Sequence, residues 1–239
     1  MAYKNIFTIP SNWTDESSLS QNLKDANTGF YLDVDMIREE GSDHEGFLID
    51  LRDHDQECSD WFRLTSLGRF TEQTLNTIDE HHSMFYLWCE IDETLEQSNR
   101  LLKTAQALLK AGGLAIGVET AGMSYLKENF LEYDTTNGYD LFKAFVVIVN
   151  KGKHLTSCGM HIFGKADAQI ASGCEDAMDT LNTFLLYQLE EDPTITQDQT
   201  FSVDKEAEIF HLHILKSSTY YDEESLFYNR HNIWSLEQA

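Results

Sequence analysis

Met84-Phe85-Tyr86-Leu87-Trp88-Cys89, then a leucine-striped stretch, then Gly112-Gly113-Leu114-Ala115-Ile116-Gly117-Val118, is the passage whose reading decides the fold. Six apolar residues in a row predict a strand buried on both faces. Asp92 stands where a helix cap is wanted. Behind it Leu95, Leu102, Ala105 and Leu109 fall on one stripe, widened by Leu101 and Leu108. The double glycine stops that helix, and Leu114–Val118 reads as a second buried strand. Strand, helix (Glu93–Ala111) and strand in this order predict a βαβ unit with Met84–Cys89 and Leu114–Val118 as adjacent parallel strands.

Outward from this centre the pattern is mixed. Phe30, Leu32, Val34 and Met36 alternate with Tyr31, Asp33, Asp35 and Ile37, which predicts one strand. Phe47-Leu48-Ile49 follows a turn-rich Glu39-Glu40-Gly41-Ser42-Asp43, and Trp61-Phe62-Arg63-Leu64 is read as a third short strand. Downstream, a helix is expected over Met123–Leu131 and a strand over Phe142–Val149. Leu155–Phe163 should pair back on that strand as a hairpin. A long helix over Glu175–Leu189 should turn Ala177, Met178, Leu181, Phe184 and Leu185 inward. Phe201-Ser202-Val203 and Phe210–Leu215 close the strand list. Hairpins beside a crossover argue for an α+β fold, a mixed sheet with a central βαβ unit and helices packed on it. Only Pro10 and Pro193 occur, and no Gly/Ser-rich linker divides the chain. The expected organisation is one domain over 1–239, with 1–28 a loosely held arm and 217–239 an aromatic extension carrying Tyr220, Tyr221, Phe227, Tyr228 and Trp234.

Charge narrows the function classes. Acidic residues outnumber basic ones 41 to 17, a net charge of -24 on 239 residues. A body of this mass exposes on the order of 11,000 Å², so the excess is dense over the whole surface. Hydrophobic residues make up 41% of the chain, enough for a core, which sets it apart from a disordered acidic tail. Such a field repels nucleic acid and anionic membrane and attracts a basic partner. Between Asp15 and Asp60 fourteen acidic residues face only Lys24, Arg38 and Arg52. That run is either a solvated face or a docking surface. The partner-binding candidates are Asp33, Asp35, Asp50, Asp53, Asp55 and Glu57, the last four lying in the polar stretch from Asp50 to Glu57.

Cys58, Cys89, Cys158 and Cys174 form no C-x-x-C pair, and a reducing compartment is expected. No run reaches the ~18 apolar residues of a membrane span, and the first five residues lack the apolar core of a secretory signal. A cytoplasmic location is expected. No cofactor or metal is expected. His211 and His213 flank Leu212 on a strand and would share a metal only with a carboxylate nearby. Asp53-His54-Asp55 and Glu80-His81-His82 lack the i, i+4 spacing of a metalloprotease helix. Ser157 and His161 share one strand face but have no nucleophile-elbow spacing. Gly112-Gly113 precedes a strand, so it builds no phosphate site. No catalytic residue is assigned.

Three blocks carry a resemblance. They are Ala105-x-x-Leu108-Leu109-x-x-Gly112-Gly113-Leu114-Ala115-Ile116-x-Val118-Glu119, then Ser157-x-Gly159-Met160-His161-x-Phe163-Gly164-x-x-Asp167-Ala168, then Thr200-Phe201. Through them the region 84–216 resembles an uncharacterised bacterial domain family. Some members of that family look like immunity proteins that protect a producing cell from type VI or contact-dependent toxins. The resemblance implies a cytosolic protein that neutralises a cognate toxin domain, with no catalytic residues to carry over. Two alternatives remain: an enzyme using Ser157 and His161 or a metal on His211 and His213, and an adaptor for a secreted effector.

Overall fold

The computed structural model describes residues 4–239, and the first three residues of the expected N-terminal arm lie outside them. The elements mix helices and strands in an α+β fold built on two largely antiparallel sheets. The chain divides into two compact units where one body was expected: Met1–Ile91 with Asn99–Thr136, and Asp92–Ser98 with Asn137–Ala239.

The first unit contains β1 (Lys4–Ser11), α1 (Glu16–Asp25), β2 (Phe30–Asp33), β3 (Met36–Glu39), β4 (Phe47–Asp53), α2 (Cys58–Thr65), α3 (Glu72–Asp79) and β5 (Ser83–Cys89). It continues through most of α4 (Leu95–Lys110), then β6 (Ala115–Val118), β7 (Met123–Leu126) and α5 (Lys127–Leu131). Its seven strands run in the order β2-β3-β4-β5-β1-β6-β7. The expected βαβ strands are present, but they are not neighbours. β1 lies between β5 and β6 and pairs antiparallel with both, so those two point the same way with a strand between them. The stretch expected to be a loose arm therefore supplies a central strand, with Ile6, Phe7 and Ile9 fully buried. Local patterning cannot see such an insertion, because its hydrogen bonds reach more than seventy residues along the chain.

Other departures have local causes. The Phe30–Ile37 alternation is a hairpin, because Val34 takes a positive φ of 57° and turns the chain between Asp33 and Met36. Trp61–Leu64 is helical. Cys58 and Phe62, one turn apart, are the buried apolar pair, and Leu64 is 79% exposed. Thr94, not Asp92, caps α4. Its Oγ1 accepts from Gln97 N–H at 3.1 Å, while Asp92 Oδ1 accepts from Thr94 N–H at 2.9 Å. Leu95 is exposed, whereas Leu101, Leu102, Ala105, Leu108 and Leu109 are buried as the stripe predicts. Met123–Leu126 is a strand before a short helix.

The second unit contains α6 (Gly138–Phe145), β8 (Val147–Asn150), β9 (His154–Cys158), β10 (Asp167–Ala171), α7 (Ala177–Glu190), β11 (Thr200–Phe201), β12 (Phe210–Leu215) and β13 (Ile233–Gln238). The sheet order is β11-β12-β13-β10-β9-β8. Phe142–Val149 is thus helix and then strand. The β8–β9 hairpin forms as expected but ends at Cys158, because Gly159 adopts φ 117° and starts a 3-10 turn over Met160–Phe163. Met178 faces solvent. The aromatic extension ends in an interior strand. β13 runs parallel to β10 and antiparallel to β12, and buries Ile233, Trp234 and Leu236.

Candidate functional site: an acidic cleft beneath α2

The first unit carries a cleft of about 650 Å³ between α2 and one face of its sheet. Cross-strand pairing sets its floor. Asp50, Tyr86, Thr8, Gly117 and Ser124 are successive Cα partners across β4, β5, β1, β6 and β7, so they share that face. A β-bulge at Ile6 adds Asn5 to it. Asn5 pairs with Trp88 and Phe7 with Leu87, so one extra residue lies in β1 and the alternation flips. Ile6 and Phe7 are then both buried, while Asn5 and Thr8, three apart, face the cleft together. Asn5 Nδ2 donates to Thr8 Oγ1 at 3.1 Å, and the Thr8 hydroxyl donates to Glu119 Oε1.

The wall is α2. Phe62 and Cys58 anchor it on a core shared with Phe70, Leu75, Ile78 and Met84. Ser124 Oγ ties it to β7, accepting from Thr65 Oγ1 at 3.0 Å and donating to Phe62 O at 3.3 Å. Trp61 leans onto Gly117 so closely that a Cβ there would lie 2.2 Å from its Cη2. Glycine at 117 is what lets the indole form the wall. Tyr86 faces the same space, with the Arg52 guanidinium 4.8 Å from its ring centroid.

Four carboxylates line the cleft, from Asp55, Glu57, Asp60 and Glu119, and no lysine, arginine or histidine does. Burial raises the Glu119 carboxyl above the usual range, opposed by the Thr8 hydroxyl. Burial, with Asp55 and Asp79 adding to it, pushes the Cys58 thiol up to about 12, so it stays protonated and is a poor nucleophile. Burial likewise raises the Tyr86 phenol. The lining therefore offers acceptors, aromatic faces and negative charge. Those are the features that hold a cation bearing several N–H donors.

The loop before α2 is held by histidines. The neutral His81 ring, 2% exposed, places Nδ1 2.7 Å from Ile78 O and accepts the Asp55 N–H at Nε2 over 3.0 Å. His54 lies against it with ring centroids 4.3 Å apart and planes tilted by 32°, and its Nδ1 lies 2.9 Å from His81 O. Asp55 Oδ1 in turn accepts from Glu57 N–H at 2.9 Å.

Of the six candidate docking residues, Asp55 and Glu57 line the cleft. Asp50 stands on its floor row but is paired with Arg52 Nη2 at 2.6 Å. Asp53 ends β4 opposite Ser83. Asp33 is paired with Arg38 at 2.8 Å, and Asp35 is exposed at the hairpin turn. Asp60, at the end of the acidic run read as a possible docking surface, lines the cleft as well, whereas sequence reasoning missed Asn5, Thr8, Trp61, Tyr86 and Glu119. The one signal available was a glutamate closing the apolar run at Val118, beside Gly117.

The other candidates are placed elsewhere. Ser157 Oγ donates to Asp167 Oδ1 at 2.9 Å and accepts from Ala168 N–H at 2.9 Å, so its hydroxyl is committed to the fold. His161 is buried in the 3-10 turn. The His211 and His213 rings lie 6.5 Å apart, with His213 near Asp198 at 3.4 Å and Glu237 at 3.7 Å. Among the described residues no group of three or more His, Cys, Asp or Glu is arranged to hold a metal ion, and no helix is long and apolar enough to cross a membrane. A second cleft of about 580 Å³, beside α7 and β11, is lined by uncharged residues.

No family model, curated protein or solved structure matches the chain.

Proposed function

We propose that this protein is a cytoplasmic immunity protein that binds and neutralises a cognate secreted toxin domain, docking through the acidic cleft beneath α2 and its rim. The observation that carries the reading is a cleft with four carboxylates, an indole in its wall, a tyrosine on its floor and no basic lining residue, in a chain of net charge -24. Toxin domains that act on nucleic acid need basic grooves for phosphate. An acidic cleft with low-dielectric walls focuses field on such a surface and speeds encounter. A lysine or arginine entering the cleft would meet carboxylates at its head and aromatic faces along its stem.

The test is co-expression with the product of the adjacent gene. The wild-type protein should form a complex and protect growth. A variant combining Asp55→Lys, Glu57→Lys and Glu119→Gln should keep its far-UV circular dichroism and lose protection. Full protection by that variant would remove the cleft from the contact. A wild-type protein that binds no product of a neighbouring gene would remove the immunity reading itself.

A further inference from the structure

We infer that His81 is a positioning residue for the cleft and a proton-operated latch on its rim: the neutral ring holds the 54–57 loop in place, and protonation releases it. Two backbone groups of opposite character fix the state of the ring. Ile78 C=O can only accept, so Nδ1 must carry the proton. Asp55 N–H can only donate, so Nε2 must present its lone pair. A charged imidazole has two N–H groups and no lone pair. Its Nε2–H would confront the Asp55 N–H, and one of the two must move. Ile78 belongs to α3, which is anchored by Leu75 and Ile78 in the core, whereas Asp55 is exposed on a loop. The loop is the part that yields. Asp55 Oδ1 holds Glu57 N–H, so the displacement carries to the start of α2 and to two of the four cleft carboxylates.

The titratable groups facing the ring are His54, Asp55 and Asp79. Burial lowers the affinity of His81 for its proton and His54 lowers it further, while the bond to Ile78 and the charges of Asp55 and Asp79 oppose them. The sign follows from this lowering. The neutral ring's contribution is fully present above the ordinary histidine range and is lost as pH falls through the lowered value.

The latch itself needs no partner. Its effect on docking rests on the proposed function, so the test reads the loop directly in the free protein. Amide hydrogen exchange resolved at Asp55 and corrected for intrinsic rate is followed from about pH 7.5 to about pH 5, just above the isoelectric point of about 4.5. The His81 ring nitrogens are followed in parallel by 15N shifts. Protection at Asp55 should drop about tenfold in step with ring protonation. His81→Asn can place its Nδ2 where Nδ1 donates to Ile78, but its Oδ1 is too short to reach the position of Nε2, so its Asp55 amide should be unprotected at every pH. Protection that stays constant across the range, whether or not the ring titrates, would overturn the inference. So would a Asp55 amide in His81→Asn protected as in the wild type. Should His81→Asn fail to fold, the wild-type titration decides alone.

Discussion

A carboxyl group sealed from water is favoured as an anion by donors and as a neutral acid by burial, and Asp167 is subject to both. Ser157 Oγ at 2.9 Å, Asn229 Nδ2 at 2.7 Å and Met160 N at 3.3 Å all donate to it. Burial nonetheless outweighs these bonds and raises the group to about 6. Because the folded value lies above the ordinary one, the stability Asp167 contributes is complete below the unfolded range near 3.8 and is lost as pH rises through about 6. A carboxyl 13C titration should find a midpoint near 6 for this residue; an ordinary midpoint near 3.8 would refute the burial argument. Two glycines make a second comparison at this scale. A Cβ at Gly159 would lie 2.0 Å from Phe145 O, a backbone atom, at a φ of 117°. Gly159→Ala should therefore cost more than about 2 kcal/mol in chemical denaturation. At Gly117 the obstacle is the outer edge of the Trp61 indole, which can swing away. Gly117→Ala should cost less than Gly159→Ala, yet shift tryptophan emission as the cleft wall opens. Equal costs with unchanged emission would contradict the packing described.

Among the elements, β1 has the largest structural consequence. It fills the gap between β5 and β6, and Trp13 just beyond it donates Nε1–H to Ala111 O at 2.8 Å, joining the chain's start to the end of α4. Removing residues 1–12 should unfold the first unit, read as loss of its cooperative transition. Trp13→Phe should cost about 1–2 kcal/mol by orphaning the Ala111 carbonyl. A truncated chain with an intact transition would restore the loose-arm reading. The sequence made β5, α4 and β6 legible because each writes its own periodicity, an apolar run or a 3.6-residue stripe. It also made the α+β class legible. What stayed hidden depends on distant pairing. The Ile6 bulge breaks the alternation that would have marked β1 as a strand facing both ways. In α2, Trp61-Phe62-Arg63-Leu64 is too short to separate period 2 from period 3.6. β13 offers only Ile233, Trp234 and Leu236, and gains its place from β10 and β12 on either side. Of the cleft, Asp55, Glu57 and Asp60 lay in a stretch acidic enough to notice; Asn5, Thr8, Tyr86 and Glu119 meet through sheet register alone.

At the scale of the whole molecule the net charge of -24 acts as a field, and the cleft is where that field meets four carboxylates and aromatic faces with no basic lining residue. Charge at a rim governs mainly how fast partners meet, whereas a buried hydrogen-bonded pair governs how long they stay. The Asp50–Arg52 and Asp33–Arg38 pairs are already neutralised within the chain. Charge reversal at Asp33 or Asp50 should consequently slow association less than reversal at Asp55 or Glu57. The most direct measurement is the association rate constant with the proposed partner, the product of the adjacent gene, at two salt concentrations, for the wild type and for the triple reversal of Asp53, Asp55 and Glu57 to lysine. The account predicts fast association for the wild type, at about 10⁷ M⁻¹s⁻¹ or above at low salt and falling steeply as salt is added. For the triple reversal it predicts a slower rate with a shallower salt dependence. Identical rates and identical salt slopes for the two proteins would contradict it.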